Sequence, residues 1–125
     1  MKAKKILIAE DSAVVQNIVR RILQAQQFEI DTARDGQEVL QKIETNDYAA
    51  ILMDINMPKM NGLDCAQRIR AHQDPKRANI PIIAITGNPD NYSLDDFQRM
   101  GINDLVEKPI NFDLLTQKLL RICNV

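Results

Sequence analysis

Ala49-Ala50-Ile51-Leu52-Met53-Asp54, followed at once by Ile55-Asn56-Met57-Pro58-Lys59-Met60-Asn61-Gly62, is the stretch that decides how this chain folds. Five apolar residues predict a buried strand, Asp54 closes it, and a turn-forming segment follows. An ionised carboxylate at the end of a buried strand is costly unless water, a cation or a reaction partner meets it there. The same pattern recurs outward from this point. Ile6-Leu7-Ile8-Ala9 ends in Glu10-Asp11, Ile82-Ile83-Ala84-Ile85 ends in Thr86, and Lys108 follows Leu105-Val106. Every polar break falls at the same end of its strand, which assembles a site suited to a phosphoryl group and a hard metal ion.

Short apolar strands alternate with longer amphipathic helices, the pattern of a parallel α/β sheet. The strands are read at Lys5–Ala9, Phe28–Thr32, Ala49–Met53, Ile80–Ile85 and Ile102–Val106, the second a more polar edge strand. Val15, Ile18, Val19, Ile22 and Leu23 give the first helix, with Ser12 as its N-cap. Gly36 opens the second, which turns Val39, Leu40 and Ile43 inward, and Leu63, Ala66 and Ile69 mark the third. A fourth runs from Ser93 to Met100 and stops at Gly101, and the last begins near Asn111. His72–Asn79 reads as a surface loop. The expected fold is a flavodoxin-like doubly wound sheet of five parallel strands, order 2-1-3-4-5, with five helices, forming a single domain over residues 1–125. Winding reverses between the first and third strands, and ligands bind outside the carboxyl ends of strands at such a switch point. Glu10, Asp11 and Asp54 all fall there.

Bulk properties narrow the function. A chain of 125 residues suits one core. Aromatic content of 4% without Trp predicts an aliphatic interior, and a net charge of −1 gives no argument for direct contact with nucleic acid or an anionic membrane. Cys65 and Cys123 lack metal-type spacing and read as reduced thiols. No apolar run reaches the length of a membrane span and no signal peptide opens the chain, so a cytoplasmic location is expected.

Strands lie about 4.8 Å apart, so Asp54 is expected one strand from Glu10 and Asp11 and one strand from Thr86. Lys108 is two strands away, on the order of 10 Å, a gap a Lys stem largely spans. Three such carboxylates repel one another without a cation. Oxygen ligands with no His or Cys select Mg²⁺, with Mn²⁺ as a substitute, over Zn²⁺. One carboxylate can then attack a phosphorylated donor while Lys108 and Thr86 contact the phosphoryl oxygens. Taken singly, each residue has an ordinary reading: Glu10 and Asp11 as acids at a helix start, Thr86 as a strand residue, Lys108 as a surface charge, His72 as a solvated helix end.

As a set, Ile6–Asp11, Leu52–Gly62, Pro81–Gly87 and Lys108-Pro109 resemble the receiver domain of two-component response regulators over essentially the whole chain. The resemblance implies that Asp54 is phosphorylated by a histidine kinase or histidine phosphotransfer protein. It implies that Glu10, Asp11, Asp54 and the backbone carbonyl of Asn56 hold Mg²⁺, that Thr86 and Lys108 contact the phosphoryl group, and that Lys108-Pro109 is a cis peptide. The domain would phosphorylate and dephosphorylate itself without being an enzyme in the turnover sense. Homodimerisation through the fourth helix, fifth strand and last helix is a further option within the family.

Two positions depart from the family pattern. Leu105 stands where Tyr or Phe is usual, so a switch from Thr86 through Leu105 must work by backbone and helix shifts without a ring that turns inward. Glu10 replaces the commoner Asp. Asn56 and Asn88 sit where side chains can screen the hydrolysing water, and Val14, Gln16, Asn17 and Arg20 on the first helix are candidates for kinase recognition. Two other function classes remain in view. A phosphorylation-independent interaction module is kept open by Leu105. An aspartyl-phosphate phosphohydrolase of the haloacid dehalogenase kind is opposed by Asn56, since those enzymes carry a second Asp two residues after the nucleophile. The chain is either a free-standing receiver or the receiver piece of a longer regulator or hybrid kinase.

Overall fold

The computed structural model describes residues 4–87 and 93–123. Five strands, β1 (Lys5–Ala9), β2 (Glu29–Ala33), β3 (Ala50–Asp54), β4 (Ile82–Thr86) and β5 (Asp104–Glu107), form one parallel sheet in the order β2-β1-β3-β4-β5. The helices between them are α1 (Ala13–Ala25), α2 (Gly36–Thr45), α3 (Gly62–Arg70), α4 (Pro75–Ala78), α5 (Leu94–Arg99) and α6 (Phe112–Ile122). The sequence reading of five strands in this order is borne out, with β2 at the edge. Among the described residues, no helix is long and apolar enough to cross a membrane.

The helix count of five is corrected to six. The segment read as a surface loop contains the one-turn helix α4, because Pro75 suits a first helical turn and the Asp74 side chain accepts from the Lys76 N–H. His72 is also more engaged than a solvated helix end. Its Nε2 meets Glu44 Oε1 at 2.6 Å, and its Nδ1 accepts from the Asp74 N–H at 3.0 Å.

Alternation along the strands splits the core between two faces. Leu7, Ile51, Met53, Ile82 and Ala84 pack against Val39 and Ile43 of α2, Ala66 and Ile69 of α3, and Phe97 of α5. Ile6, Ile8, Leu52, Ile83 and Ile85 pack against Val19 and Leu23 of α1 and Leu115 and Leu119 of α6. Away from the carboxyl ends of the strands, Arg70 ties α3 to the rest. Its guanidinium donates to the carbonyls of Gly101, Ala78 and Ile80 and to Asn103 Oδ1, at 2.7–2.9 Å.

At the opposite rim, Gly62 starts α3 directly against β3. A Cβ there would lie 2.5 Å from the Asp54 carbonyl oxygen, and the Gly62 N–H donates to the Ile55 carbonyl at 2.9 Å. Backbone cannot yield as a flexible side-chain tip can, so only glycine allows α3 to begin this close to Asp54. Gly62→Ala is expected to cost about 1–3 kcal/mol and to move the Asp54 backbone. The check is the denaturant midpoint together with the amide shifts of residues 53–56; a variant with wild-type stability and shifts would contradict this packing.

Candidate functional site

Each rim residue is delivered by the end of a strand. Ala9 of β1 is level with Met53 of β3, so Glu10 and Asp54 leave the sheet side by side. One carboxylate oxygen from each of Glu10, Asp11 and Asp54 lies within 4.8 Å of the others. Glu10 and Asp54 are 2% and 1% exposed, whereas Asp11 faces solvent. The structure therefore brings together the three acids that sequence reasoning placed at one rim.

Lys108 follows β5 and is aligned by its own backbone, whose N–H donates to the Thr86 carbonyl at 2.8 Å. Its Nζ donates to Asp54 Oδ2 at 3.2 Å, and Asp54 Oδ1 accepts from the Asn56 N–H at 3.0 Å. Each oxygen of Asp54 thus has a fixed donor. Thr86 is buried at the end of β4. Asn56 sits in the exposed turn after β3, and the Lys108–Pro109 peptide is cis. Leu105, level with Ala84, is partly buried against the α2–α3–α5 core cluster. Asn88 lies outside the described residues.

Glu10 carries the electrostatic tension of the site. Its Oε1 accepts from the Ser12 N–H at 3.1 Å, while its buried Oε2 has no hydrogen-bond partner among the described residues. Burial above all, then the neighbouring Asp54 carboxyl, pushes the Glu10 carboxyl up to about 8, against the opposite pull of the Ser12 N–H. A buried acid oxygen left unpaired beside two further carboxylates fits a hard divalent cation, which accepts an all-oxygen ligand set.

Two features were missed in the sequence. An apolar groove of about 330 Å³ opens beside Lys108, lined by Val15, Ile18, Pro109, Ile110 and Phe112. Ile18 stands 44% exposed along it on α1, and Val14, one turn earlier on the same helix, is 68% exposed. Val15 and Ile18 of its lining read in the sequence only as part of the inward apolar stripe of α1. Ser12 caps α1 as expected, accepting from the Val15 N–H at 3.3 Å, but its own N–H also steadies Glu10.

At the switch point of a doubly wound sheet, three acids and a lysine meet, with Thr86 ending the neighbouring strand. The chain belongs to the response regulator receiver domain family, whose model matches residues 6–120. It is 34% identical over 93% of its length to the CAI-1 autoinducer sensor kinase/phosphatase CqsS of Vibrio cholerae, of which it spans 17%. It is 32% identical to the chemotaxis protein CheY1 of Helicobacter pylori, over 92% of this chain and 93% of that protein. It also resembles the receiver domain of sensor histidine kinase PA1611 from Pseudomonas aeruginosa PAO1, a structure with magnesium ion coordinated in its active site cleft. That likeness has a TM-score of 0.88 and 28% identity over 98% of this chain and 99% of the other.

The Glu10 carboxyl titrates near 4.5 when unfolded and near 8 in the folded, metal-free chain. Between these values the native state keeps a proton that the unfolded state releases, so stability falls as pH rises through this window and levels off above it. Melting in chelator from pH 4.5 to 8 is expected to show that decline, and Glu10→Gln is expected to flatten it. A wild-type stability that rises across the same window would contradict the assignment.

Proposed function

We propose that the whole chain, residues 1–125, acts as a single receiver whose phosphoacceptor is Asp54. The donor is a phosphohistidine of a histidine kinase or histidine phosphotransfer protein. An Asp54 carboxylate oxygen forms the new bond to phosphorus as the phosphorus–nitrogen bond breaks, and the electron pair of that bond stays on the departing imidazole. The observation that carries this reading is the 3.2 Å approach of Lys108 Nζ to buried Asp54, beside two further acids. The Lys108 ammonium donates to the Asp54 carboxylate and stands ready to meet a phosphoryl oxygen. The Thr86 hydroxyl donates to another once the group arrives. Mg²⁺, or Mn²⁺ in its place, held by Glu10, Asp11, Asp54 and the Asn56 carbonyl, would neutralise charge on the transferring group.

The partner meets the domain over α1, where Val14 and Ile18 are exposed, and over the groove that Ile18 shares with Lys108. Output follows when Thr86 moves toward the phosphoryl group and the surface around Leu105 rearranges. Homodimerisation through α5, β5 and α6 is one form that output can take. The chemistry is self-phosphorylation from phosphodonors and self-dephosphorylation in the cytoplasm. A phosphorylation-independent module is the second reading, favoured only by Leu105, which brings neither ring nor hydroxyl to the switch.

Incubation with acetyl phosphate and Mg²⁺, read by intact-protein mass spectrometry, tests the reading. One phosphoryl adduct is expected in the wild type and none in Asp54→Asn, with Lys108→Ala slowed by about 100-fold. No wild-type adduct supports the phosphorylation-independent module, and rapid multiple turnover supports a phosphohydrolase.

A further inference from the structure

Gln16 lies in the first half of α1, half-buried, and its side chain turns back to the rim of the sheet. The amide nitrogen donates to the Glu10 carbonyl and, at 3.2 Å, to the Ala33 carbonyl. Both partners are carbonyl oxygens, so only the NH₂ end of the side chain can face them, and its two hydrogens serve two acceptors at once. The Glu10 carbonyl belongs to the peptide that joins Glu10 to Asp11. The Ala33 carbonyl ends β2 and also accepts the Glu10 N–H at 2.9 Å.

The segment carrying both acids is therefore clasped on two sides. The Gln16 amide and the end of β2 hold its backbone, while the Ser12 N–H holds the Glu10 carboxylate at 3.1 Å. The clasp is anchored, because Val19 and Leu23 fix α1 in the core. Rotating the Glu10–Asp11 peptide would swing exposed Asp11 into water and away from Asp54. The Gln16 amide opposes that rotation directly.

We infer that Gln16 is a positioning residue for the divalent cation: its two-carbonyl clasp holds the Glu10–Asp11 peptide in the orientation that keeps both acids on Asp54. The inference rests on the reading of these acids as the Mg²⁺ site. It gives Gln16 a different task from partner recognition, in contrast to exposed Asn17 next to it.

Gln16→Met keeps length and neutrality while removing both donors. Calorimetric titration of Mg²⁺ into the unphosphorylated protein, with no phosphodonor, is expected to show about 10-fold weaker binding in Gln16→Met. Gln24→Ala, at an exposed position on the same helix, is expected to bind Mg²⁺ as the wild type does. Equal Mg²⁺ affinity in Gln16→Met and wild type would overturn the inference alone. A wild type that binds no Mg²⁺ would bring down both the inference and the site reading beneath it. Should Gln16→Met fail to fold, the wild type still decides. Its Gln16 side-chain amide protons are expected to exchange with solvent more slowly than those of exposed Gln24 and Gln26, and equal exchange would overturn the clasp.

Discussion

Three carboxylates share one small volume at the rim of this sheet, and the rest of the site answers that constraint. Two like charges near 5 Å repel by about 3 kcal/mol at an effective dielectric constant of ~20, which is a large share of a small domain's net stability. The acids within 4.8 Å of one another cannot all be ionised and uncompensated. Lys108 supplies one positive charge to Asp54 from across the sheet. The remaining excess is met by a proton on Glu10 or by a divalent cation. Because cation and proton compete for the same buried oxygen, cation affinity rises with pH.

The fold's contribution is to make separation of these acids costly. Parallel strands deliver Glu10 and Asp54 at adjacent ends, and residues packed on both faces fix the strands. Glycine at 62 brings α3 against the Asp54 backbone, the Ser12 N–H holds Glu10, and the Lys108 N–H is tied to the Thr86 carbonyl. The Asp54 carboxylate is thus held by donors on both oxygens, Asn56 on one side and Lys108 on the other. This is preorganisation of the kind that phosphoryl transfer needs, since that reaction asks for position and charge more than for covalent help.

The sheet order and the convergence of Glu10, Asp11, Asp54, Thr86 and Lys108 were legible in the sequence because each polar residue interrupts or follows an apolar run at the same strand end. Periodicity reports which face is buried, and the doubly wound order then decides who becomes neighbours. The helix α4 was not legible, since one turn is too short to show a period; only Asp74-Pro75 marked its start. The Arg70 clamp and the Gln16 clasp were hidden for a different reason. Both join side chains to backbone carbonyls distant in sequence, and carbonyls leave no trace in residue identity. The apolar groove beside Lys108 likewise exists only once α1 and the segment after β5 are side by side.

Anomalous diffraction from crystals soaked in Mn²⁺ tests the central claim most directly, because it locates the compensating charge itself. The account requires a peak bounded by the carboxylates of Glu10, Asp11 and Asp54. A site elsewhere on the surface, with no density among these three acids at saturating Mn²⁺, would contradict it.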